Sequence, residues 1–347
     1  MIFNVLGLTL LIILILILVL IFITSNTNPV FTERSFYALG TVMYLKAFGK
    51  KGEIAIEKAI ERLIDIDNKM SAFKDYSEIS KINRNAGMLP QIVSYDTYSV
   101  IEKSIKYSEL LEGTFDPTIR PLVSLWNIGT KYEKIPKQNE IDEKLKLVNY
   151  KDIIINKTDN SIGLKKKGQA LDVGGIAKGF AADEIKNIFV KYDIKSALIN
   201  LGGNILVLGN KNDGTPWKVG IQNPFKPRGE YIGILTAKDK SIVTSGNYER
   251  FFMKNGKTFH HIIDPKTGYP SESKVVSATI ISDKSIDGDG LSTGVYIMGI
   301  DKAMNLIESI KGIDAIFITE DKKIYVTSGV KDNFKLFNNE FIYNKNY

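Results

Sequence analysis

Asp289 and Thr293 lie four residues apart in Asp287-Gly288-Asp289-Gly290-Leu291-Ser292-Thr293-Gly294. On the first turn of a helix that spacing puts a carboxylate and a hydroxyl on one side. With a main-chain carbonyl they form a hard-oxygen set suited to Mg²⁺, and the closing glutamate of a calcium loop is missing. Helix capping by Asp289 explains the same residues without a metal. A second stretch, Leu171-Asp172-Val173-Gly174-Gly175-Ile176-Ala177-Lys178-Gly179, reads as an acidic residue, a Gly-Gly turn and a helix start. Backbone amides at such a start can hold an anion, and Lys178 is placed to reach the same phosphate-like group. The stretch is neither a Walker loop nor a dinucleotide fingerprint, and a plain strand-to-helix turn is the alternative. The chain has two histidines, His260 and His261, and no cysteine. Any unperturbed side chain that changes charge near neutral pH therefore sits at that pair. A proton-transfer reading begins there or needs a perturbed carboxylate or lysine.

Two further stretches carry weaker signals. Gly113-Thr114-Phe115-Asp116-Pro117-Thr118 precedes Leu125-Trp126 and suits either a flat aromatic ligand or a capped turn with a core tryptophan. Ser245, in Thr244-Ser245-Gly246-Asn247-Tyr248, invites a hydrolase pairing with His261. No Gly-x-Ser-x-Gly elbow accompanies it, and a local serine turn is the stronger explanation.

These residues need elements to hold them. Helical periodicity runs through Glu53–Met70, begins again at Ser77, and continues through Asp96–Leu111 and Ile176–Tyr192. Ser35–Phe48 reads as a strand interrupted at Gly40, and Ile153–Leu164 as a hairpin around Thr158-Asp159-Asn160. Strands then dominate, at Ala197–Val207, Trp217–Ile221, Tyr231–Thr236, Ser241–Phe252, Val275–Ser282 and Ala315–Ile318. Helices are expected near Ser292–Met298 and Lys302–Ile310, and the best internal loop at Pro136–Asn139. Early helices and late strands favour an α+β fold over a regular doubly wound sheet.

The 347 residues suffice for one large or two modest domains. With 44% hydrophobic and 24% charged residues the body is that of a globular protein. The net charge of +7 is scattered, with no basic tract interleaved with aromatics, so nucleic acid is not implied. Val5–Ile23 is apolar apart from Gly7 and Thr9, long enough to span a bilayer. An uncleaved anchor fits it better than a cleaved signal peptide, because a basic start and a small-residue cleavage site are missing. The expected organisation is an anchor or signal at 1–24, a linker at 25–34 and one domain at 35–340. The expected location is the cell membrane, with a single N-terminal span and the domain outside the cytoplasm.

Taken in order, the motifs resemble those of the ApbE family of FAD:protein FMN transferases. Leu39-Gly40-Thr41, Met70-Ser71-Ala72-Phe73, Gly113–Thr118, Leu125-Trp126, Leu171–Gly179, Asn200-Leu201-Gly202-Gly203-Asn204, Thr244–Tyr248, His261–Gly268 and Asp289–Thr293 carry the resemblance over roughly residues 39 to 300. The resemblance implies an α+β fold of that type and Mg²⁺-dependent cleavage of FAD. FMN would be joined to a Thr or Ser hydroxyl of an acceptor flavoprotein and AMP released. It also implies roles by position. Leu39, Phe73, Thr114, Phe115, Asp116, Asp172, Lys178 and Ile263 would line the FAD site. Gly175, through its carbonyl, Asp289, Ser292 and Thr293 would hold the metal. His261, with Asp289 and Lys178, would serve catalysis, and His260 is an extra neighbour. Leu39 stands where the family commonly has Met, and Gly290 and Ser292 replace common alanines, without loss of a required oxygen or charge. The acceptor implied is a membrane electron-transfer subunit or an exported reductase. Competing expectations are an FAD pyrophosphatase, with water as acceptor, and a flavin-binding protein without chemistry.

Overall fold

The structure is a computed structural model and describes residues 30–344. A hairpin of β1 (Phe31–Ala38) and β2 (Thr41–Phe48) leads into α1 (Gly52–Met70) and α2 (Glu78–Arg84). A two-residue β3 (Gln91–Ile92) precedes α3 (Tyr95–Leu110), α4 (Arg120–Trp126) and α5 (Gln138–Leu145). β4 (Ile153–Asn156), β5 (Ser161–Leu164) and α6 (Ala177–Lys191) follow. Then come β6 (Ser196–Leu201), β7 (Asn204–Leu208), β8 (Trp217–Gln222), β9 (Tyr231–Ala237), β10 (Ser241–Gly246), β11 (Phe251–Lys254), β12 (Lys257–His260) and β13 (Val275–Ser282). α7 (Ser285–Met298), α8 (Ile300–Ser309), β14 (Asp314–Thr319), β15 (Lys323–Val326), β16 (Phe334–Leu336) and β17 (Ile342–Tyr343) complete the chain.

The mixed α+β expectation holds. A nine-stranded sheet, β1-β2-β6-β7-β10-β13-β14-β15-β17, forms the middle layer. Alternation along β14 shows how it is covered. Ala315 and Phe317 pack into the helical layer, while Ile316 and Ile318 pack toward the three-stranded sheet β16-β9-β8. Side chains of a strand point alternately to opposite faces, so a strand covered on both sides is buried along its whole length and is mostly apolar. β13 accordingly has all eight residues buried. On the helical side, Arg62 of α1 bonds Asp96 of α3 at 2.7 Å and Glu184 of α6 at 2.8 Å, tying three helices together. A third, smaller core of Leu122, Trp126, Ile141, Phe259 and Ile263 joins α4 and α5 to β12.

Several sequence expectations are corrected. The stretch Ala197–Val207 is two strands, because Gly202 and Gly203 take φ of +65° and +101° and reverse the chain. Ser241–Phe252 divides into β10 and β11 after Gly246. The loop expected at Pro136–Asn139 already contains the start of α5, where the Glu140 carboxylate accepts the Lys137 N–H at 2.8 Å. The helix expected near Ser292 begins at Ser285, so Asp289 lies in its interior and not at its cap. Residues 31–34 of the expected linker belong to β1. The expected apolar span at 1–24 lies outside the described residues. Among the described residues no helix is long and apolar enough to cross a membrane.

Candidate active site

The site is built where α6 and α7 start side by side. Gly179 of α6 has no Cβ, and one placed there would stand 2.7 Å from Asp289 Cβ and from Ile286 Cα. That close approach lets the Gly179 N–H donate to Asp289 Oδ2 at 2.8 Å. The other carboxylate oxygen, Oδ1, lies 3.6 Å from Lys178 Nζ. Lys178 also donates to the Gly174 carbonyl at 2.9 Å. A lysine ammonium held between a carbonyl and a carboxylate marks a place where positive charge is favoured.

Three hydroxyls close the same corner. Ser245 Oγ lies 2.9 Å from Ser292 Oγ and 3.1 Å from Thr293 Oγ1, and Ser292 Oγ donates to the Asp289 carbonyl at 3.1 Å. Ser245 thus bonds these hydroxyls, and the hydrolase pairing with His261 is replaced by a different role. Gly175 belongs to the group as well. A Cβ on it would stand 3.2 Å from Phe115 Cε2 and 3.8 Å from Thr293 Oγ1. Among the described residues no three His, Cys, Asp or Glu side chains cluster as metal ligands. What is present is one buried carboxylate, hydroxyls and backbone carbonyls, a donor set that fits a hard ion completing its shell with water and phosphate oxygens.

The expected ligand-lining residues divide. The 172–175 turn is shaped by Asp172, whose Oδ1 accepts the Gly174 N–H at 2.9 Å. It is clamped from behind. Asn83 donates to the Leu171 carbonyl at 3.0 Å and accepts the Leu171 N–H at 2.6 Å, and the Asp172 N–H reaches the Pro117 carbonyl at 2.7 Å. Asp172 also pairs with Arg120 at 3.2 Å, and the Arg120 guanidinium lies 4.1 Å from the centre of the Phe73 ring. Phe73 is 78% exposed, so the rest of its ring is open to a planar partner. Phe73, Asp172, Gly175, Lys178, Asp289, Ser292 and Thr293 therefore lie along one connected row.

The Thr114 and Asp116 side chains bond within their own loop and, for Asp116, to the backbone at Tyr150. Thr114 Oγ1 donates to the Leu111 carbonyl at 2.8 Å. Asp116 accepts the Thr118 N–H at 2.8 Å, the Thr118 hydroxyl at 2.6 Å and the Tyr150 N–H at 2.9 Å. Burial pushes its carboxyl above the usual range in spite of these donors. Ile263 is buried in the small core with Trp126. Trp126 is itself fully buried and donates to the Gly268 carbonyl at 2.8 Å, so no face of it is free for a ligand. Leu39 sits at the β1–β2 turn with φ of +47° and packs against the main core.

The two histidines differ. His260 is buried, with Nε2 donating to the Ser271 carbonyl at 2.9 Å and Nδ1 accepting the Ile262 N–H at 3.3 Å. Both ring nitrogens are thereby used. His261 Nδ1 lies 3.2 Å from the Arg250 carbonyl. A carbonyl only accepts, so Nδ1 carries the proton and Nε2 keeps its lone pair. Burial, followed by the charge of Arg250 and more weakly that of Lys178, holds His261 down to about 3. The ring is neutral at physiological pH. Arg120, Asn83 and Arg250 had no sequence signal, since each acts on a partner far along the chain or through its backbone.

Comparison with known proteins identifies the family. The ApbE family model matches residues 39–317. An FAD:protein FMN transferase of Treponema pallidum (strain Nichols) is 31% identical over 326 residues, covering 89% of this chain and 90% of its own. One of Klebsiella pneumoniae (strain 342) is 34% identical over 292 residues, covering 84% and 90%. The crystal structure of the ApbE protein from Thermotoga maritima superposes with a TM-score of 0.81 at 31% identity, over 88% of this chain and 99% of that one. Flavin transferase ApbE from Vibrio cholerae superposes with a TM-score of 0.80 at 27% identity, over 88% and 100%. A family match over most of the chain, together with relatives above 30% identity along nearly their whole length, establishes that this chain belongs to the ApbE family.

Proposed function

We propose that this protein is an FAD:protein FMN transferase. The observation that carries the reading is the gathering of Asp289, Lys178 and the Ser245, Ser292 and Thr293 hydroxyls beside the Gly174-Gly175 turn. The reaction is phosphoryl transfer, in which positioning and charge stabilisation dominate. A hydroxyl oxygen of an acceptor threonine or serine bonds to the FMN-side phosphorus, and the bond from that phosphorus to the bridging oxygen breaks. AMP departs with the bridging oxygen.

Lys178 supplies positive charge to the phosphate oxygens. His261 Nε2 takes the acceptor hydroxyl's proton. In the free protein the ring is a weak base, and a bound anionic phosphate raises its affinity for that proton. Phe73, braced by Arg120, offers a stacking face for a planar ring of FAD. Asp289, Thr293, Ser292 and the Gly175 carbonyl are the residues to hold Mg²⁺, which when bound would neutralise pyrophosphate charge and polarise the phosphorus. The apolar Val5–Ile23 segment would hold the enzyme at the membrane, near an acceptor subunit of an electron-transfer complex or an exported reductase.

Intact-mass measurement after incubation with FAD, Mg²⁺ and a threonine-bearing acceptor tests the reading. The expected result is a gain of one FMN unit on the acceptor. Free FMN and AMP without that gain would indicate a pyrophosphatase, and unchanged FAD a flavin-binding protein. Asp289→Asn and Asp289→Ala should both lose transfer. Only the alanine variant should also lose stability, by about 1–3 kcal/mol, because it leaves the buried Gly179 N–H without an acceptor. Transfer at the wild-type rate by Asp289→Asn would remove Asp289 from the mechanism.

A further inference from the structure

Neither α6 nor α7 caps itself. Ile176 and Lys284 occupy the positions before their first turns, and neither side chain caps the helix. A helix start carries N–H groups with no partner inside the helix, and a buried start must find them elsewhere. Here each helix supplies the other. Asp289 of α7 accepts the Gly179 N–H of α6 at 2.8 Å. Asp183 of α6 accepts the Ser285 N–H at 2.8 Å and the Ile286 N–H at 3.0 Å, both at the start of α7.

We infer that Asp183 is a positioning residue for the active site. It sets the height of α7 on α6, and through it the place of the Asp289 carboxylate and the Thr293 hydroxyl relative to Lys178. Asp289 lies one turn beyond Ser285, so a shift of the first turn of α7 carries the carboxylate with it. The exchange also fixes which oxygen faces the site. Asp289 Oδ2 is bound to Gly179, leaving Oδ1 toward Lys178. Two other residues keep α7 from simply unravelling when Asp183 is lost. The Ser285 hydroxyl lies 2.8 Å from both Asn204 Oδ1 and Ser241 Oγ, and Asp287 accepts from Tyr107 at 2.7 Å and Lys103 at 2.9 Å. Loss of Asp183 therefore leaves the helix in place but frees the Ser285 and Ile286 amides and loosens the first turn of α7 where it meets α6. Residues that orient a ligand from behind typically change metal affinity by about 10–100-fold when removed.

The inference rests on the proposed cation position at Asp289, and the test separates the two. Mn²⁺ binding to the full chain, read by electron paramagnetic resonance, is compared among wild type, Asp183→Ala, Asp183→Asn, Asp289→Ala and Ile185→Val. Hydrogen exchange of the Gly179 amide is followed in the same proteins. Ile185 is buried on α6 and makes no cap, so its variant controls for lost stability alone. The wild type should bind Mn²⁺ and Asp289→Ala should not. Asp183→Ala should bind about ten-fold more weakly and exchange the Gly179 amide about ten-fold faster. Asp183→Asn, which keeps one acceptor oxygen, should recover part of both, and it carries the comparison if the alanine variant does not fold. Ile185→Val should leave both unchanged. Wild-type binding and exchange in the Asp183 variants, or an equal change in Ile185→Val, would overturn the inference. If the wild type binds no Mn²⁺ through Asp289, the cation reading falls, and the Gly179 exchange still decides the role of Asp183.

Discussion

At the scale of single residues, adjacency in the chain concealed two different environments. His260 spends both ring nitrogens on the backbone and sets its ring edge-on to Tyr296 at 5.9 Å. His261 leaves Nε2 available. Burial lowers the proton affinity of both, His261 to about 3. The unfolded chain therefore binds these protons first as pH falls. Their contribution to stability is fully present above the free imidazole value near 6.5. For His261 it is lost progressively as pH drops toward 3, at up to about 1.4 kcal/mol per pH unit, and His260 contributes in the same direction. Asp116 and Asp183, raised by burial, act with the opposite sign. Urea unfolding should show the wild type losing about 1–2 kcal/mol more than His261→Asn between pH 7 and pH 5. Parallel profiles would mean that His261 is not held neutral in the folded protein.

The start of α7 shows what is decided at the scale of elements. Gly288, Gly290 and Gly294 each disfavour a helix by about 1 kcal/mol relative to alanine, which is why the periodicity was legible only from Ser292 onward. The helix forms because these glycines are packing positions. A Cβ on Gly288 would stand 3.0 Å from Val243 Cγ2, one on Gly290 2.5 Å from Tyr107 Cδ2, and one on Gly294 2.5 Å from Leu111 Cδ1. Propensity alone predicts that Gly294→Ala stabilises. Overpacking against Leu111 costs about 1–3 kcal/mol and should win, so the variant should unfold at lower denaturant. A raised midpoint would mean that Leu111 yields freely. By contrast α1 was legible nearly to its ends from Ile56, Ile60, Leu63 and Ile64, although Ile64 is exposed and Ile66 takes its place in the core beside Ile56 and Leu63.

At the scale of the whole molecule, the layers separate stability from chemistry. The α6–α7 corner lies on the helical side of the nine-stranded sheet, and the small sheet covers the other side. Ile318, packed toward the small sheet, should tolerate Val at a cost of about 0.5–1.5 kcal/mol, with FMN transfer at 25 °C unchanged. A changed transfer rate at unchanged folded fraction would show that the two layers are coupled. By itself the sequence determined the α+β class, most element positions and the order of the motifs. These follow from periodicity, turn residues and residue identity, all of which act over a few neighbours. It also named Asp289, Thr293 and Lys178 as candidates, because their chemistry is intrinsic to their side chains. Only the tertiary structure showed which partners Thr114, Asp116 and Ile263 take and that the Arg120 guanidinium lies over the Phe73 ring. It alone assigned the caps, with Asp289 reaching Gly179 across 110 residues and Asp183 reaching Ser285 across 102. Such partners are selected by how packed faces meet. A chain records which groups need hydrogen bonds, but only the assembled layers bring the far carboxylate within 3 Å of the amide that needs it.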